Sequence, residues 1–182
     1  MSTPQELKYL YERPILDFVR ISAEFCRALE QCNETDRSHF MKTMQVMLSM
    51  LYLKAALINN VPAGISDEEV RRIGESDYEF VRQSVARLLD ETDAYLDIPS
   101  NHNEWTIADG PVAHWISEDL ADLYQALREL AEAFRLGAEE PMANVLSEVV
   151  SSFGNEWGPK VLSALRALHA ASYGEETSDF SE

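Results

Sequence analysis

The chain of 182 residues sets 15 Lys and Arg against 32 Asp and Glu, a formal charge of -17, with 46% hydrophobic residues. A chain of this size suits one domain that hides about 70% of its unfolded surface and needs no metal or disulfide staple. Such a charge repels phosphate and anionic lipid, which excludes nucleic acid and a membrane surface as partners.

Seven Gly and seven Pro favour helices over strands and turns. Thr3-Pro4 reads as an N-cap with proline in the first turn of a short helix over 4–12. Pro14 then opens a longer helix. Its Ile15, Phe18, Val19, Ser22, Phe25, Cys26 and Leu29 share a face at helical spacing. Cys26 and Cys32 are placed on that helix about 9 Å apart, beyond disulfide reach, and read as reduced thiols of a cytoplasmic protein. No basic stretch followed by an apolar one stands at the start, so no signal peptide is expected.

Asn33-Glu34-Thr35 breaks the helix, and Thr35 is the expected cap of the next, over 36–59. That third helix is apolar nearly all round, which predicts a place in the middle of a bundle. Its apolar run is too short to span a bilayer. The methionines Met41, Met44, Met47 and Met50 read as adaptable core filling. Ser66-x-x-Glu69 and Ser76-x-x-Glu79 each have the form of a capping box. The second is expected to open a helix reaching Thr92, with Phe80, Val81, Ala86, Leu88 and Leu89 on it. Residues 95–110 read as a long connection, and 113–136 as the clearest amphipathic helix, with Gly137 as its C-cap. Pro141 opens another. Gly158-Pro159 either kinks it or separates a last helix. The expectation is an all-α, single-domain bundle of six or seven helices over 1–173, with no strand of useful length and an acidic, frayed tail over 174–182.

Three segments carry a resemblance. They are Leu51-Tyr52-Leu53-Lys54-Ala55, the run from Ile116 to Gln125 (Ile-Ser-Glu-Asp-Leu-Ala-Asp-Leu-Tyr-Gln), and Trp157-Gly158 followed by Ala164-Leu165-Arg166-Ala167-Leu168-His169. Together they resemble a bacterial all-helical family catalogued as a domain of unknown function, number 5063, over roughly 15–173. Pro159 departs from the polar residue that commonly follows Trp-Gly in that family. The resemblance implies a helical fold and a bacterial cytoplasmic setting, and it supplies no activity or catalytic residues.

The residues themselves offer two places for function. Glu118, Asp119 and Asp122 lie within one turn of one another, with His114 a turn earlier, and such carboxylates hold Mg²⁺ through oxygen ligands. Asp90-x-x-Asp93 and Glu129-x-x-Glu132 repeat the spacing, but a chain with 32 acids makes such pairs by chance, and a solvated face is the plainer reading. The connection contributes His102 and Trp105, which with His114 and Trp115 form a candidate interaction surface; packing of Trp105 and Trp115 onto the bundle is the plainer reading there. Trp157 joins Trp115 as a residue that could flank a cleft. Nucleophile elbows, phosphate loops and paired Glu-x-x-His motifs are missing, and no cofactor is expected. The reading is therefore a non-catalytic module that binds a protein partner through a basic surface on that partner. The alternative is a Mg²⁺-dependent nucleotide hydrolase working through the acidic helix face.

Overall fold

In the computed structural model, residues 7–64, 73–97 and 110–174 are described. Six α-helices carry the fold: α1 (Arg13–Glu30), α2 (Arg37–Ala56), α3 (Glu75–Leu89), α4 (Ile116–Leu136), α5 (Glu139–Ser152) and α6 (Gly158–Tyr173). A two-stranded ribbon, β1 (Ala94–Asp97) and β2 (Val112–Trp115), stands between α3 and α4. The protein is all-helical, as composition and periodicity predict. Before α1 the described residues hold one 3-10 turn, Lys8–Tyr11, in place of a helix over 4–12; Thr3-Pro4 lies outside the described residues.

The central element is α4. Its Ile116, Leu120, Leu123, Leu127 and Leu130 are buried, and it packs on α1, α3, α5 and α6. The i, i+4, i+7, i+11, i+14 run from Ile116 through these leucines gives the helix a stripe wide enough to meet neighbours on several sides. Gly137 ends it in the left-handed conformation, φ 74°, where a side chain would be strained. The first turn is capped from outside the helix. Asp93 accepts from the Ser117 N–H at 2.8 Å and the Ser117 hydroxyl at 2.7 Å, and the Asp93 carbonyl takes the Ile116 N–H. The α4 helix therefore begins at Ile116 rather than near Ala113, because residues 112–115 pair antiparallel with 94–97. β1 alternates exposed and half-buried side chains and β2 is exposed throughout, and four residues are too few for a readable apolar alternation, so the ribbon leaves little trace in the sequence.

Helix α2 corrects a second expectation. It packs against α1 and α6 on the outside of the bundle, not in its middle. Phe40, Met41, Met44, Leu48 and Leu51 enter the core, whereas Val46, Met50, Leu53 and Leu57 face outward. Asp36, not Thr35, caps α2 by accepting the His39 N–H at 3.0 Å. Helix α3 starts one residue before Ser76, so no Ser76–Glu79 capping box forms, and it ends at Leu89. Glu79 instead holds Arg82 and Gln83 on its own helix. The Ser66–Glu69 pattern lies outside the described residues.

Between α5 and α6 the backbone stays helical through a π-turn, Phe153–Trp157, so the break precedes Gly158-Pro159 and neither residue ends the helix. Counting this as one interrupted helix gives five. At the turn the Phe153 N–H donates to the Val150 carbonyl, and the Trp157 indole N–H takes the Val149 carbonyl at 2.7 Å. Gly158 is required there. A Cβ at that position would stand 2.3 Å from the Phe153 carbonyl oxygen. Trp157 then stacks on Phe18 with ring centroids 6.0 Å apart, tying the turn to α1.

Candidate functional site

Asp119 and Asp122 occupy successive turns of α4, and each is held by a residue far away in sequence. The Tyr95 hydroxyl, from β1, donates to Asp119 Oδ2 at 2.5 Å. The Tyr78 hydroxyl, from α3, donates to Asp122 Oδ1 at 3.0 Å, and Lys160 Nζ of α6 pairs with Asp122 Oδ2. Four elements thus converge on two carboxylates. Asp119 is buried, and desolvation lifts its carboxyl to about 6 against the lowering pull of the Tyr95 hydroxyl, Lys160 and His114. Burial and Asp122 push the Tyr78 hydroxyl up to about 12. A second link ties the ribbon to α6: Ser163 and Arg166 both donate to Asp97 at 2.6 Å.

Of the residues proposed from sequence as a magnesium set, Asp119 and Asp122 are therefore engaged by Tyr95, Tyr78 and Lys160. Glu118 is exposed at the start of α4. Among the described residues no group of three or more His, Cys, Asp and Glu is arranged to hold a metal ion. The other carboxylate pairs separate in the same way. Asp93 caps α4, Asp90 faces Arg37 at 3.6 Å, Glu129 accepts the Ile73 N–H at 2.7 Å, and Glu132 holds Arg128 and Arg135. Of the candidate interaction surface, His102 and Trp105 lie outside the described residues. His114 is exposed on β2 with its ring 5.8 Å from that of Tyr95, and Trp115 is 44% exposed at the end of the ribbon. Cys26 and Cys32 are both free and buried, Cys32 in a turn after α1 rather than on it, and burial raises both thiols.

Beside the carboxylate pair opens a cleft of about 310 Å³ walled by α4, α5, the π-turn and the start of α6. Asp122, Gln125, Ala126 and Glu129 form its α4 wall, and Val145, Glu148, Val149 and Ser152 its α5 wall; Glu156, Trp157 and Lys160 close the end. Both walls follow the i, i+3, i+4, i+7 spacing of a single helix stripe. Four carboxylates rim the cleft, small apolar side chains and the Trp157 indole form its floor, and Lys160, the one cation among the lining residues, is paired with Asp122. Trp157 does flank a cleft, while Trp115 is not among the residues lining this one. Glu148, Glu156 and Lys160 escape a motif search because their acids and base come from three elements. The readable signal was the stripe mixing acids with small apolar residues on α4 and again on α5.

These features define a class: a small acidic helical bundle with an acid-rimmed interhelical cleft and a ribbon latched to its central helix. Within that class, the chain belongs to the family described as DUF5063, a domain of unknown function, which it matches over residues 10–174. It is also similar to protein BF1032 from Bacteroides fragilis, known from a crystal structure, at 34% identity and a TM-score of 0.79, covering 90% of this chain and 95% of that one. No curated protein matches the chain.

Proposed function

We propose that this protein is a non-catalytic, cytoplasmic bacterial module that seats a basic segment of a protein partner in the cleft between α4, α5 and α6. The observation that carries this reading is the lining of the cleft, an apolar floor under four carboxylates, of which Asp122 is paired with the single lysine. A guanidinium or ammonium group gains at the rim while its hydrocarbon stem covers Ala126, Val145 and Val149. The formal charge of -17 adds long-range attraction for the same partner. A cytoplasmic setting is supported by two buried free thiols, and a bacterial one by the Bacteroides relative. Among the described residues no helix is long and apolar enough to cross a membrane.

The test is fluorescence anisotropy with a short labelled peptide of alternating arginine and alanine, at low and high salt. Binding is expected to weaken as salt rises. A Glu148→Lys, Glu156→Lys double variant is expected to bind at least about tenfold more weakly, a loss of roughly 1.4 kcal/mol. Equal binding by the variant, or binding insensitive to salt, overturns the reading.

A further inference from the structure

The chain has 32 acidic residues, yet two of its six described α-helices contain none: α2 and α6. Those two helices pack against each other, with Gln45 Nε2 of α2 donating to the Leu168 carbonyl at 3.2 Å and to Ser172 Oγ at 2.6 Å. Among the described residues, acids from elsewhere touch these two helices: Asp97 is held by Ser163 and Arg166 of α6, and Asp36 caps the start of α2. Here α2 exposes Val46, Met50 and Leu53, and its C-cap Leu57 follows in register, at 59%, 41%, 56% and 54%. Their spacing of four, three and four residues is that of the seam of a two-stranded helix pair, where alternate knobs enter holes on the facing helix. Extending the same register backward places Thr43 and His39 on the seam and the cap residue Asp36 at its end, and its flanks carry Lys42, Ser49, Lys54 and Ala56, without an acid. The acid on α1 that reaches this helix, Asp17, is neutralised by Lys54 at 2.8 Å. The inward positions, Met41, Leu48 and Ala55, are buried in the bundle, so the seam is a second and separate apolar stripe on one helix.

We propose that this apolar stripe of α2 is an interface between two copies of the chain, paired through α2 about a two-fold axis. Charge selects the occupant. Two molecules of formal charge -17 repel each other, and among the described residues the exposed stripe of α2 lets them meet with no carboxylate between its apolar side chains. The two-fold pairing buries the four exposed side chains of each copy along a helix of 20 residues, roughly 30 Å. Screening of the remaining repulsion makes this association tighten with salt. Peptide binding at the cleft weakens with salt, so the two sites respond in opposite directions.

Sedimentation velocity of the full chain over a range of concentrations tests the interface. The expected species has twice the 20.6 kDa monomer mass, and its share increases with concentration and with salt. Leu53→Glu places two carboxylates in one symmetric interface and is expected to give monomer with an unchanged far-UV circular dichroism spectrum, since Leu53 is outside the core. Phe80→Glu, on the acid-bearing α3, is expected to leave the dimer intact. Wild type remaining monomeric under all these conditions overturns the proposal, whether or not another protein covers the face. A dimer that survives Leu53→Glu overturns it equally.

Discussion

Asp119 is buried by the helices that pack on α4, and its charge is carried at a cost. In the unfolded chain its carboxyl titrates at the ordinary aspartate value near 3.8; in the fold desolvation lifts this to about 6. Below about pH 4 both states are protonated and the group contributes no pH dependence. Between those values the folded chain keeps a proton that the unfolded chain has lost, so the contribution to stability falls as pH rises and levels off above about pH 6. The rise to about 6 corresponds to on the order of 3 kcal/mol. Asp119→Asn keeps an oxygen for the Tyr95 hydroxyl and removes the ionisation. Urea unfolding of both proteins between pH 4 and 7 is expected to show the variant gaining on wild type by up to that amount as pH rises. A gap independent of pH means that Asp119 ionises normally. Asp17, Asp36 and Glu79, held low by hydrogen bonds from Lys54, the His39 N–H and Arg82, slope the other way in both proteins and cancel in the difference. The spacing of Asp119 and Asp122 is plain in the sequence. Tyr95, Tyr78 and Lys160, which decide what these carboxylates do, lie 24, 44 and 38 residues away and come together only through packing.

At the scale of elements, the legible features are those that local chemistry controls. Pro14 near the start of α1, the apolar stripe of α4 and Gly137 after it follow from rotamer, period and φ preferences that act within one turn. The cap of α4 was not legible, because Asp93 reaches Ser117 across the whole ribbon. Helix α2 misleads for a different reason: two apolar stripes on one cylinder resemble complete burial, and a sequence does not say which stripe faces the core. The Trp157-Gly158 pair was visible but its cause was not. The π-turn leaves the Val149 carbonyl for the indole and brings the Phe153 carbonyl against Gly158. Gly158→Ala forces a Cβ to 2.3 Å from that oxygen, a backbone atom fixed by the turn. The expected cost is about 1–3 kcal/mol, lowering Tm by several degrees. Thermal unfolding followed by circular dichroism checks it. An unchanged Tm means the turn relaxes into a regular helix at no cost, and the close approach is then not what selects glycine.

Over the whole molecule, burial and charge act against each other. Phe18, Phe25, Phe40 and Leu120, Leu123, Leu127 and Leu130 of α4 are fully buried, and each such side chain stabilises the fold by roughly 1.5–3 kcal/mol. The exposed ion pairs Arg27–Glu24 and Arg135–Glu132 lie within single helices and contribute well under about 1 kcal/mol each. Against these stands a net charge of -17, whose self-repulsion favours expansion. Raising ionic strength shortens the screening length to about 8 Å near 0.15 M and below that at higher salt, so repulsion between distant carboxylates fades. The contacts within hydrogen-bond distance, such as Lys54 with Asp17, are screened much less. Repulsion therefore loses more than attraction does. Sodium chloride is expected to raise the Tm of the monomeric Leu53→Glu variant, in which salt-driven pairing of α2 adds nothing. Scanning calorimetry at low and high salt reads the shift. A lower Tm at high salt means that ion pairs, and not the apolar core, carry the balance against the net charge.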